Sequence, residues 1–157
     1  MRWLVIALVI VGLAGCQRPA VPDLGLPGID GRRIELTELR GRPYLLVFWA
    51  TSCAVCVKEI PELVRLYQEL APRGVELVAV AMSYDPPSRV VELSRRLALP
   101  YPVVLDLDGA AARALGNIQA TPTTVLVGAD GTVRQRILGE PDFTRLRREL
   151  LQLLPPA

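Results

Sequence analysis

Phe48-Trp-Ala-Thr-Ser-Cys-Ala-Val-Cys-Val-Lys-Glu-Ile-Pro61 is the stretch on which the fold of this chain turns. It joins a continuous apolar run, Pro43 to Trp49, to a segment with helical spacing, Ala54 to Ala71. An apolar run without polar alternation reads as a strand buried on both faces. The helical segment carries Val57, Ile60, Val64, Tyr67 and Leu70 as its expected apolar stripe. Pro61 is expected to kink it, because proline lacks the N–H that the helix ladder needs. Cys53 and Cys56 therefore stand where a buried strand ends and a helix begins.

That position carries chemistry. Residues three apart share a helical face and can close a disulfide. At the helix N-terminus, unpaired N–H groups and the helix dipole favour a thiolate, which makes Cys53 the attacking thiol. Cys56 lies one turn in; it is expected to be more buried and to resolve a mixed disulfide. No histidine or lysine precedes Cys53 nearby, so the depression of its pKa is expected to be moderate. Lys58 is expected to point away from the pair. A zinc site needs four ligands, and the pair offers two thiols in a chain without histidine, so it would need a partner chain. A structural disulfide closing so short a loop stabilises weakly. The pair reads as redox-active; no metal and no cofactor are expected.

Working outward, Leu24 to Leu36 holds an Asp30-Gly31 turn, a hairpin signal. Thr37 to Gly41 reads as one capped helical turn. Val75 to Met82 is a second buried strand, and Asp85-Pro-Pro leads into a helix near 88–98 with Val90, Val91, Leu93 and Leu97 inward. Tyr101 to Leu105 is a short strand, and Asp108 to Gly116 a small helix with an acidic cap. Thr123–Val127 and Val133–Leu138 form a second hairpin around Asp130-Gly131, and Asp142 to Leu154 a closing amphipathic helix. The order is α/β: a mixed central sheet flanked by helices on both faces.

The first residues read as an address. Arg2 precedes an apolar run from Trp3 to Ala14, the pattern of a secretory signal over 1–15 and too short to span a bilayer. Leu13-Ala14-Gly15-Cys16 resembles the lipobox of bacterial lipoproteins, in which the cysteine becomes the lipid-carrying N-terminus. The alternatives are an ordinary cleaved signal or a short uncleaved anchor with Cys16 incidental. Gln17 stands where an aspartate would retain an enteric lipoprotein in the inner membrane. Residues 16–23 read as the lipidated cysteine and a tether, and 24–157 as one domain. With 157 residues, 51% hydrophobic and 22% charged, the chain can bury a core unaided. A net charge of +2 with dispersed basic residues excludes a polybasic nucleic-acid arm, and the absence of histidine excludes His-based triads and metal sites.

The Phe48–Pro61 segment resembles the active site of TlpA/ResA-like thioredoxin-fold disulfide reductases. Ala120-Thr-Pro-Thr-Thr124 matches that family's cis-proline loop, residues 31–43 its N-terminal β-hairpin and lead-in, and the Asp106–Gly109 region with the preceding helix its central αβ insertion. The resemblance covers roughly residues 24–154. It implies a cis Pro122 beside the cysteines and a Thr121 backbone that pairs with an extended substrate segment. Glu59 matches an active-site glutamate; it reads equally as a proton exchanger for the thiols or as a solvated first-turn acid. Trp49 and Phe48 are expected to pack near the cysteines, with Trp49 a candidate substrate-facing ring. The chain departs from the family at Ser52, where many relatives carry Trp, and at Val55, where many carry Pro. The implied function is a membrane-tethered extracytoplasmic disulfide reductase refilled by a membrane electron donor. Its implied partners are disulfide-containing envelope proteins, apocytochrome c among them, and no nucleic acid.

Other classes fit less well. A peroxiredoxin-like peroxidase places threonine three residues before its reactive cysteine, where Ala50 stands here. A Sco-type copper chaperone needs a wider cysteine spacing and a histidine. A non-catalytic binding lipoprotein leaves the CxxC without a use.

Overall fold

The computed structural model describes residues 19–155. The signal segment and Cys16 lie outside the described residues. Strands β1 (Gly25–Pro27) and β2 (Arg33–Glu35) form an antiparallel hairpin, and a 3₁₀ turn covers Leu36–Leu39. Then come β3 (Tyr44–Trp49), α1 (Ala54–Leu70), β4 (Glu76–Ala81), α2 (Pro87–Arg96), β5 (Val103–Leu105), α3 (Ala110–Ala114), β6 (Thr123–Val127), β7 (Val133–Leu138) and α4 (Phe143–Leu153). The main sheet has the order β5-β4-β3-β6-β7. β4 runs parallel to β3 and β5, while β6 is antiparallel to β3 and β7. Both expected Asp-Gly turns place glycine in the left-handed region, Gly31 at φ 83° and Gly131 at φ 77°.

Every residue of β3 is buried, as its unbroken apolar run requires. Its side chains alternate between two cores. Leu45, Val47 and Trp49 join α1, α2 and α4 on one face. Tyr44, Leu46 and Phe48 face α3, the hairpin and the 3₁₀ turn on the other. Trp49 is thus on the cysteine side, and Phe48 lies behind the sheet.

Several local expectations shift. The buried stripe of α1 is Cys56, Glu59, Ile60, Leu63, Leu66 and Leu70, with Val57, Val64 and Tyr67 only partly buried along its edge. The helix is assigned without a break from Ala54 to Leu70 across Pro61, and Pro61 is exposed, where water can meet the freed carbonyl. Thr37 lies inside the 3₁₀ turn rather than capping it. In α2, Val90 and Leu93 point inward but Leu97 is exposed, since the helix ends at Arg96. The domain also begins earlier than Leu24. Val21 is 2% exposed, its N–H donates to the Gly131 carbonyl, and Val133 N–H donates to that of Pro19. The segment read as a tether is thus docked on the β6–β7 hairpin at its end.

Candidate active site

The site forms at the carboxyl ends of β3 and β4. Because these strands are parallel and Trp49 pairs with Ala81, residues 50–53 and 82–85 must emerge side by side. The antiparallel register of Phe48 with Thr123 brings Thr121 and Pro122 to the same edge. Three loops distant in sequence therefore meet around the first turn of α1.

Cys53 is the N-cap of α1, with extended backbone angles of φ −87° and ψ 103°. Its Sγ accepts a hydrogen bond from Cys56 N–H at 3.1 Å, as an N-cap side chain does. The two cysteines are joined in a disulfide, with Cα atoms 5.2 Å apart. Cys53 is half-buried, while Cys56 is 2% exposed and packed in the core. Lys58 turns away, its Nζ 3.0 Å from Glu140 Oε2. The Thr121–Pro122 peptide bond is cis.

Glu59 is not a solvated first-turn acid: it is 1% exposed, and among the described residues neither carboxylate oxygen has a hydrogen-bond partner. With Cys56, Trp49, Val47, Leu63 and Tyr101 it lines an internal cavity of about 10 Å³, close to the smallest space that holds one water. Burial pushes its pKa up to about 7, and the negative charge of Glu140 adds to the effect. Burial likewise raises Tyr101, with Glu59 as a second cause. Trp49 is 3% exposed, and its indole N–H also lacks a partner among the described residues. It backs Cys56 from the core, so the substrate-facing reading of its ring is corrected to one of core packing: the strand that delivers Cys53 turns Trp49 inward.

Two residues escaped the sequence reading. Asp85, 5% exposed, accepts hydrogen bonds from Thr51 N–H and Thr51 Oγ1, both at 2.6 Å. It ties the turn before Cys53 to the loop after β4. Its neighbour Tyr84 places its hydroxyl 3.4 Å from Thr121 Oγ1, at the cis-proline loop. One signal was available: loops following adjacent parallel strands share an edge, and that edge is where α/β sheets build sites.

Residues 18–136 match the AhpC/TSA family. The chain belongs to the AhpC/TSA family. Within this family it is 32% identical over 134 residues to the thiol-disulfide oxidoreductase ResA of Geobacillus thermodenitrificans, covering 85% of this chain and 76% of that one. Among solved structures, a thioredoxin-family thiol:disulfide interchange protein from Chlorobium tepidum superposes with a TM-score of 0.81 at 26% identity, covering 90% of this chain and 100% of that one. StoA from Bacillus subtilis gives 0.71 at 27% identity, covering 83% and 98%. Together with its Cys53–Cys56 disulfide, these likenesses make this AhpC/TSA-family chain a thiol–disulfide oxidoreductase with a thioredoxin-like fold. Among the described residues, no helix is long and apolar enough to cross a membrane.

Proposed function

We propose that the protein is a disulfide reductase working outside the cytoplasm, held on the membrane by lipid on Cys16. The observation that carries the reading is the asymmetry of the pair: a half-exposed Cys53 at the helix N-cap and a Cys56 that is 2% exposed beside an unpartnered buried carboxyl. In the reduced protein the Cys53 thiolate attacks one sulfur of a substrate disulfide. That S–S bond breaks, and the departing cysteine leaves as a thiolate that takes up a proton. Glu59 then accepts the Cys56 thiol proton, and the Cys56 sulfur attacks Cys53 Sγ. The second substrate thiolate departs and Cys53–Cys56 closes. Two electrons have passed to the substrate, and a dithiol donor in the membrane returns them.

Thr121 offers its backbone to an extended substrate segment beside Cys53, with Pro122 shaping that loop. Substrates in this reading are disulfide-bonded envelope proteins, apocytochrome c before haem attachment among them. The test is a Cys56→Ser variant expressed in the native host. Cys53 should then accumulate in mixed disulfides with envelope proteins that thiol reagents release. Recovery of no mixed disulfide, with Cys53 still reactive toward alkylating agents, would contradict the proposal.

A further inference from the structure

A pocket of about 240 Å³ opens against Thr51 and Ser52, the two residues that lead into Cys53; its other wall is α2, through Arg89, Glu92, Leu93 and Arg96. Both arginines are exposed. Among the described residues, neither has a carboxylate within 4.0 Å. Glu92 lies between them in sequence but reaches neither, so the pocket carries two cations against one anion. Lys58, two residues after Cys56, is instead paired with Glu140 at 3.0 Å. The α2 wall of the pocket is therefore net positive, while the buried Asp85 carboxylate stands behind Thr51 on the other side.

Size and chemistry say what fits. Arg89 and Arg96 are seven residues apart on one helix, about 10 Å along its axis. That spans about three residues of extended chain. Guanidinium groups present planar forks suited to carboxylates, and the buried Leu93 gives the pocket an apolar wall. Ser52 is small and exposed, so nothing bulky separates the pocket from Cys53.

We propose that this pocket is a specificity site for the partner polypeptide, receiving an aspartate or glutamate side chain that lies within a few residues of the partner's reacting cysteine. The inference rests on the exchange reaction proposed above and adds the class of disulfide it selects: acidic rather than basic. Charges at such a rim act mainly on the encounter rate and its salt dependence.

The test uses two synthetic peptides, each closed by one disulfide, with aspartates flanking the cysteines in one and asparagines in the other. The reduced protein is mixed with each in single turnover. At low ionic strength the aspartate peptide should react about fivefold faster, and the ratio should shrink as salt is added. An Arg89→Glu/Arg96→Glu double variant should invert the preference between the two peptides. Glu92→Gln should strengthen the preference. All three positions are exposed, and thermal melts check that the variants fold. Equal rates for the two peptides in the unaltered protein, or a ratio indifferent to the charge reversal, would overturn the pocket's role alone. Reduction of neither peptide would instead sink the exchange reading beneath it.

Discussion

Two carboxylates are buried on opposite sides of the same sheet, and they are treated in opposite ways. Asp106, 0% exposed, accepts hydrogen bonds from Ala111 N–H at 3.0 Å and Ala112 N–H at 2.9 Å. Both its oxygens are occupied, and it fastens α3 to the end of β5. Glu59, 1% exposed on the α1 side, has no partner on either oxygen among the described residues. A buried polar group without hydrogen bonds costs stability and is uncommon unless it has a use. The acid with filled oxygens builds the fold; the one left open stands beside Cys56, where the proposed exchange calls for a proton acceptor. Asp85 lies between these cases, buried and bonded, yet bonded to the turn that presents Cys53.

The contrast can be broken by substitution, and the largest effect should come from the bonded acid. Asp106→Ala leaves two buried N–H groups without acceptors and is expected to cost about 3 kcal/mol. Denaturant unfolding measures it, and the folded fraction should still exchange disulfides. A loss under about 0.5 kcal/mol would show that the cap is dispensable.

Glu59→Gln should act in the other direction. Glutamate begins from a value of 4.5 and is raised to about 7 in the fold. Between those values the folded protein holds the extra proton, so the stability of the oxidised form is highest below about pH 4.5 and declines as pH rises toward 7. The glutamine variant should lack that decline and be more stable at pH 8 by about 2 kcal/mol, allowing for solvent screening. Its disulfide exchange should slow about tenfold or more and lose the inflection near neutral pH. An unchanged pH–rate profile would reduce Glu59 to a packing residue.

Asp85→Asn should have the smallest effect. The amide can still accept from Thr51 N–H and donate to Thr51 Oγ1, so only the charge assistance is lost, about 1 kcal/mol. Its sharper readout is the rate at which Cys53 reacts with an alkylating agent, which should change if the Thr51 turn relaxes.

How much of this could be read from residues alone follows the range of the interactions. The continuous apolar run of β3, the Asp-Gly hairpins and the CxxC at a strand-to-helix junction are local patterns, and all stand in the structure. The buried face of α1 was displaced because Leu63 and Leu66 compete with Val64 and Tyr67 for the same side, and only the tertiary contact decides. The cap of α3 was expected from Asp108, which does bond Ala110 N–H, but the buried one is Asp106, two residues earlier. Val21 and Asp85 act through partners more than thirty residues away, which no periodicity records. The burial of Glu59 has the same origin: its position in the helix was legible, but the sheet side chains and the Leu99 and Tyr101 side chains that close its cavity were not.

The most direct measurement is the equilibrium reduction potential of the Cys53–Cys56 couple against glutathione or dithiothreitol buffers, in which about 30 mV resolves a tenfold change in the equilibrium. A value near or below about −270 mV, that of thioredoxin, is the expected result for a reductant supplied from the membrane. A value near about −120 mV, that of a strong oxidant, would contradict it and make the protein a donor of disulfides.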